Sequence, residues 1–189
     1  MSVEVEPLAP VPARHVDALA FAAHFQRHLA ESGQGDVPHF SPMASAARSD
    51  IVRDAEYGWS LPLGAPGWSR AWLLWDGPDR ASARVVGHLL LRGPQVESAM
   101  HRASLSIGIE RPYARRGLGT RLIELAQRYA RDEAGLSQLE LQVFSTNLPA
   151  RRLYERLGFR LVGTIPDAYR FDGGALRIDD HWMVLPLGR

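Results

Sequence analysis

The stretch Ser104-Leu105-Ser106-Ile107-Gly108-Ile109-Glu110, followed by Arg111-Pro112-Tyr113-Ala114-Arg115-Arg116-Gly117-Leu118-Gly119-Thr120 and a helical run from Arg121 to Ala134, decides how this chain folds. Leu105, Ile107 and Ile109 alternate with small residues at period two, the signal of a half-buried strand. After the turn, Leu118, Leu122, Ile123, Leu125, Ala126 and Tyr129 recur at helical spacing, so a tight basic turn delivers the chain from a strand to a helix N-terminus. The first N–H groups of a helix have no intrahelical partner, and the aligned peptide dipoles place about +0.5 charge there. That end suits a phosphate. Gly117 and Gly119 leave the backbone open to such a ligand, Thr120 adds a hydroxyl donor, and Arg115 and Arg116 add positive charge. The same residues also read as a plain tight turn with a solvated basic edge, because short glycine motifs are weakly specific. A P-loop is excluded, since no Lys follows the second glycine, and the dinucleotide fingerprint fails at Leu122, where a third glycine would fall.

A second stretch separates the readings. Leu139-Glu140-Leu141-Gln142-Val143-Phe144 alternates like a strand, and Asn147-Leu148-Pro149-Ala150-Arg151-Arg152-Leu153-Tyr154-Glu155-Arg156-Leu157-Gly158-Phe159 follows. Pro149 suits the first turn of a helix, Asn147 or a neighbour its cap, and Gly158 the residue past its end. Together the two stretches resemble the GNAT superfamily of acyl-CoA-dependent N-acyltransferases. Its pyrophosphate loop reads Gln/Arg-x-x-Gly-x-Gly/Ala, and its next strand and helix often read Leu-x-Val-x-x-x-Asn-x-x-Ala-x-x-Leu-Tyr-x-x-x-Gly-Phe. The second pattern is met at Leu141, Val143, Asn147, Ala150, Leu153, Tyr154, Gly158 and Phe159, and Asn147 is the only asparagine in the chain. The loop departs from the family at its first position, where Ala114 stands in place of Gln or Arg. The resemblance spans about residues 69 to 187.

The composition fits this reading. A chain of 189 residues, 46% hydrophobic and 23% charged, is long enough for one core, and one domain over residues 1–189 is expected. No run of about 18 apolar residues offers a membrane span, and Met1-Ser2-Val3-Glu4-Val5-Glu6 lacks the features of a signal peptide, so the expected location is the cytoplasm. A formal net charge of +1 argues against general nucleic-acid binding. The absence of cysteine removes disulfides, thiolate metal sites and a covalent thiol mechanism. All 22 basic side chains are arginine, so the chain has no side-chain amine of its own to acylate.

Elsewhere, Val3 to Val5 reads as an edge strand closed by Pro7, Pro10 and Pro12. Val16, Leu19, Ala20, Ala23, Phe25 and Leu29 suggest the buried stripe of a helix from Arg14 to Ala30. His24 and His28 stand at metal-compatible spacing but without a carboxylate motif beside them, so packing or surface histidines are expected and no metal site. A loop over residues 31–45 precedes a helix from Met43 to Tyr57. Trp59, Leu61, Leu63 and Trp68 read as core cover, or as part of an acceptor pocket by the resemblance. Ala71 to Trp75 and Arg84 to Leu91 form a hairpin around Asp76-Gly77-Pro78-Asp79. A strand at Leu161 to Gly163, a turn at Arg170 to Gly174 and a strand through His181 to Leu187 complete the chain. The phrase from Tyr169 to Met183 resembles the tail of small-amine and amino-acid acetyltransferases of the superfamily.

The resemblance implies an α/β (α+β) fold with a mixed, mostly antiparallel sheet that splays around acetyl-CoA and is flanked by helices. It implies transfer of acetyl to a primary amine of a small molecule, amino acid or peptide N-terminus by direct attack in a ternary complex, with no metal and no membrane. A homodimer is left open. The pantetheine would lie along Ile107, Gly108 and Ile109, and an N–H near Ile109 would polarise the thioester carbonyl. The pyrophosphate would sit on Arg115, Arg116, Gly117, Leu118, Gly119 and Thr120, while Asn147 would bind the pantetheine from the facing side and Tyr154 would also stand against the cofactor. Tyr154 holds the position of the phenol that protonates the departing thiolate. For the base, Glu110 is the leading candidate, with Glu140 and a water relayed by His101 beside it, because Ser104 stands where many relatives carry a strand glutamate. A non-catalytic acyl-CoA sensor or interaction module is the alternative that Ala114 and Ser104 keep open.

Overall fold

The structure is a computed structural model that describes residues 8–33, 38–40, 47–77 and 82–188. Its elements run β1 (Pro10–Pro12), α1 (Ala18–Ala30), α2 (Arg48–Ser60), β2 (Ser69–Asp76), β3 (Arg84–Arg92), β4 (Arg102–Ile109), α3 (Leu118–Asp132), β5 (Gln138–Phe144), α4 (Leu148–Arg156), β6 (Arg160–Phe171) and β7 (Leu176–Pro186). The strands form one sheet in the order β1-β2-β3-β4-β5-β7-β6. Every neighbouring pair is antiparallel except β4 and β5. This is the mixed, mostly antiparallel α/β sheet that the resemblance implied.

The parallel pair is where the sheet opens. β4 pairs with β5 only through Arg102↔Gln138, Ala103↔Leu139 and Ser104↔Glu140, whereas β3 continues to pair with β4 as far as Ile109. From Leu105 to Ile109 the β5-facing edge of β4 therefore has no strand partner among the described residues, and its backbone groups are available to a ligand.

Alternation sorts the side chains onto two faces. Leu89, Leu91, Leu105, Leu139 and Leu141 join Leu118, Leu122, Ile123 and Ala126 of α3 in the larger core. Burying each Leu or Ile of that stripe contributes about 1.5–3 kcal/mol, which is what holds the glycine turn against the sheet. Leu73, Trp75 and Val85 on the other face pack against Ala18, Phe21 and Ala22 of α1 and Ile51 and Ala55 of α2.

Five expectations need correction or limiting. The buried residues of α1 are Ala18, Phe21, Ala22 and His24, while Val16 and Leu19 are 78% and 60% exposed. The stripe is displaced because two histidines, polar by type, belong to the inward face. The strand at Val3 to Val5 lies outside the described residues, as do part of the turn after Gly77 and the start of the helix drawn from Met43. A strand forms instead at Pro10–Pro12, on the sheet's edge. Proline is tolerated there because alternate N–H groups of an edge strand face away from the sheet. The last two strands are longer than expected, β6 spanning the bulges between Leu161 and Gly163 and between Ile165 and Tyr169. Among the described residues, no helix is long and apolar enough to cross a membrane.

Candidate functional site

The turn before α3 carries the geometry of an anion site. Gly117 is the N-cap, in the left-handed region at φ 76°, and Arg115 is left-handed at φ 61°. A non-glycine residue rarely adopts that conformation, and its occurrence at a loop of this kind marks a backbone shaped for a ligand. Arg121 N–H donates to the Gly117 carbonyl at 3.2 Å, so the N–H groups of Leu118, Gly119 and Thr120 precede the first intrahelical bond. No side chain caps the helix and its first turn holds no acid. A Cβ at Gly117 would meet nothing within 4 Å, whereas one at Gly119 would lie 2.9 Å from Leu153 of α4. Gly119 thus lets α3 approach α4, and Gly117 leaves open space before the helix. Arg116 bonds the Pro112 carbonyl at 2.9 Å and lies over the Tyr113 ring, whose hydroxyl bonds Asp76.

Beside β4 lies a cavity of about 630 Å³ that passes through the opening in the sheet. Leu105, Ile107, Leu141, Val143, Asn147 and Tyr154 line it toward α3 and α4. Ser104, Ser106, Glu140, Gln142, Phe144, Asp180 and Trp182 line it on the α1 face, closed over by Phe25, His28, Leu29, His39, Phe40 and His88. The Trp59 to Trp68 segment takes no part in this lining; Trp68 is buried in the main core, the core-cover reading of that segment.

Tyr154 is 7% exposed, and burial raises its phenol, so the site holds it protonated. Asn147 caps α4 by accepting from Ala150 N–H at 3.2 Å and donates its amide to the His39 carbonyl at 3.2 Å. It therefore ties residues 38–40 over the cavity as well as lining it. Glu140 accepts from Arg102 at 2.7 Å, and His101 is exposed and outside the cavity lining.

Glu110 does not line the cavity. It is 3% exposed and accepts from Arg27 Nε, Arg84 Nη2 and His24 Nδ1, each at 3.0 Å. His24 Nε2 lies 3.0 Å from His88 Nδ1. Because a carboxylate only accepts, the tautomers follow in sequence. His24 carries its proton on Nδ1, leaving Nε2 as acceptor, and His88 donates from Nδ1. The remaining nitrogen, His88 Nε2, is buried and has no partner among the described residues, on a side chain that lines the cavity. Burial first, then the neighbouring positive charge, lowers the pKa of His24 to about 3 and puts His88 well below its ordinary value. Burial likewise lowers His28 to about 4. All three imidazoles are neutral at pH 7.

His24 and His88 were not among the expected site residues. Their one signal is a polar residue in an otherwise apolar pattern: His88 interrupts Val85 to Leu91, and His24 falls on the inward stripe of α1. Gly108 makes room for His88 and His28, since a Cβ there would lie 2.5 Å from His88 and 2.6 Å from His28. Gly108→Ala should lower stability by about 1–3 kcal/mol through this overpacking. Denaturant unfolding checks it, and an unchanged midpoint would show that the histidines move aside.

The chain is 32% identical over 84 residues to the L-amino acid N-acetyltransferase AaaT of Escherichia coli, 42% of this chain and 49% of that protein. It is 31% identical over 83 residues to an N-alpha-acetyltransferase of Saccharolobus solfataricus, 44% of this chain and 47% of that protein. The chain thus spans about half the length of the curated relatives it matches. Among solved structures, yncA of Salmonella typhimurium, a putative acetyltransferase with its cofactor acetyl-CoA, superposes with a TM-score of 0.74 at 15% identity, covering 96% of this chain and 94% of that one. The family model for the acetyltransferase (GNAT) family matches residues 44–159, which include the glycine turn, the open β4 edge and Tyr154, and the chain belongs to that family.

Proposed function

We propose that this protein transfers an acetyl group from acetyl-CoA to a primary amine of a small molecule, amino acid or peptide N-terminus, by direct attack within a ternary complex. The observation that carries this reading is the cavity through the β4/β5 opening, which brings an unpaired strand edge, a buried phenol and a polar acceptor face together. The residues fit a pantetheine thioester. Leu105 to Ile109 offer main-chain partners, and the uncapped α3 N-terminus with Gly117 fits a pyrophosphate. When bound, acetyl-CoA supplies an already activated acyl group, so no covalent nucleophile is needed. The chain's own tasks are to hold the acceptor nitrogen within reach of the carbonyl carbon, to accept a proton from that nitrogen, and to give one to the sulfur. Tyr154, protonated and buried, is the donor to sulfur.

The acceptor side is aromatic and holds two acidic side chains, of which Glu140 is paired with Arg102. Asp180 is 3% exposed and lines the cavity with Phe144, Tyr169 and Trp182. Such a wall attracts an ammonium group. Ser104, Ser106 and Gln142 add neutral donors suited to a carboxylate or peptide carbonyl. The relatives named for L-amino acids and for an N-alpha group support an α-amine acceptor.

Isothermal titration with acetyl-CoA and CoA, followed by thiol release across a pool of amines, tests the reading. Binding with release supports it, binding without release points to a sensor, and no binding of either overturns it. Gly117→Glu should weaken CoA binding at least about tenfold, because it places a carboxylate at a helix N-terminus in competition with the phosphates and strains a left-handed position. Equal affinity in titration would remove the α3 terminus from the site.

A further inference from the structure

We propose that His88 accepts the proton of the attacking amine through Nε2, and that His24 and Glu110 form the relay that orients His88 and stabilises its charged form. The proposal rests on the transferase reading and assigns the base within it.

Three observations carry it. The hydrogen bonds Glu110 to His24 and His24 to His88 are both 3.0 Å, and they join residues 86 and 64 positions apart, so the chain is built by the tertiary fold and not by local structure. Both imidazoles are almost completely buried, at 0% and 1% exposure, where a polar group without a function is costly. The relay has one open end, His88 Nε2, which lacks any partner on a side chain that lines the cavity shared with Tyr154. His88 projects from β3 on the α1 face, while Tyr154 belongs to the core on the α3 face. Acceptor and donor therefore stand on opposite sides of the opening in the sheet, as the transfer requires.

The proton balance closes. As the nitrogen–carbon bond forms, the nitrogen gives one proton to His88 Nε2. The carbon–sulfur bond breaks, and the sulfur takes the phenolic proton of Tyr154. The proton on His88 later leaves to solvent and the phenolate regains one, so the amine becomes an amide and the thioester a thiol. While His88 is charged, its Nδ1 proton can shift to His24 Nε2 and the His24 Nδ1 proton toward Glu110, which spreads the charge along the relay. The groups facing the two imidazoles are Arg27 and His28 of α1, Arg84 of β3 and Glu110. Arg27 and Arg84 fix Glu110 in place at 3.0 Å each, so it orients and stabilises and does not itself reach the substrate. Glu110 and His24 are positioning residues, and His88 is the catalytic one. The lowered basicity of His88 in the resting protein keeps it unprotonated and ready at neutral pH.

The test combines kinetics with a measurement that needs no variant. Wild-type turnover of an amine is measured first; its absence overturns the transferase reading and the relay's role with it. Given turnover, His88→Gln should lower kcat about 10²–10⁴-fold with acetyl-CoA affinity unchanged in titration. Added imidazole should restore part of the rate. His24→Gln, a positioning change, should lower kcat less and release His88 from its Nδ1-protonated form. Long-range proton–nitrogen correlation on histidine-labelled wild type should show His24 and His88 both neutral and protonated on Nδ1. A His88→Gln enzyme within about threefold of wild-type kcat, or His88 protonated on Nε2 in the wild type, overturns the relay alone. The spectrum decides the matter even if the glutamine variants fail to fold.

Discussion

Tyr154→Phe should bind acetyl-CoA as tightly as the wild type and turn it over about 10²–10⁴ times more slowly, the range for removing a positioned general acid. The substitution removes one oxygen from a side chain buried at 7% exposure, and the ring packing against Phe159, at 5.7 Å between centroids, remains. Stability should therefore change by less than about 1 kcal/mol, or rise slightly, since a buried hydroxyl is removed from an apolar setting. That separation of effects is the useful part. A phenol that serves only as core filler predicts unchanged kcat, and one that binds pantetheine predicts a higher Kd for CoA. Steady-state kinetics with titration of CoA distinguishes the three. The acid role also predicts that the defect shrinks when the leaving thiol is made more acidic, because a weaker base needs less help from a proton donor. An equal defect with all thioesters, or none, would remove Tyr154 from the departure of the thiol.

The parts of this site that were legible in the sequence are those written in local chemistry. α3 could be drawn because Gly117 marks its start and Leu118, Leu122, Ile123 and Ala126 repeat along one face, all of them buried in the structure. α4 was bounded by Asn147, which caps it, and by Gly158, left-handed at φ 94° just beyond its end. The relay was not legible for the opposite reason. His24, His88 and Glu110 come from a helix, a strand and the end of another strand, and only the register Leu73↔His88↔Gly108 brings the two sheet positions under α1. Counting histidine as polar also displaced the inward stripe of α1 and put Val16 and Leu19 inside. Glu110 was singled out for its place after β4, yet its three partners assign it to the relay's buried end and not to the cavity. The edge strands were obscured by their composition: Pro10 and Pro12 read as terminators, and β6 carries Pro166 and Asp167 across a bulge where alternation lapses.

The protein should lose stability steeply as the pH falls below about 6.5, well before ordinary carboxylates titrate. Folding takes His24, His28 and His88 out of water as neutral rings, lowering the first to about 3, the second to about 4 and the third well below its usual value. Burial is the leading cause in each. In the unfolded chain the same side chains protonate near 6.5, so between about pH 6.5 and 4 the unfolded state binds more protons than the native one. Stability then rises with pH across that window and falls as acid is added. Each such proton is worth about 1.4 kcal/mol per pH unit, and three together about 4. Against a total of about 5–15 kcal/mol for a domain, this slope should unfold the protein within about two to four units below 6.5. Above pH 7 all three are neutral in both states and contribute no slope. Urea midpoints from pH 7.5 to 4.5 measure the effect, and His28→Gln should remove close to one proton from the slope without touching the Glu110, His24 and His88 hydrogen bonds. A stability that stays flat from pH 7 to 5 would mean that the buried imidazoles are charged in the native state, which would also take from His88 the free lone pair on which its role depends.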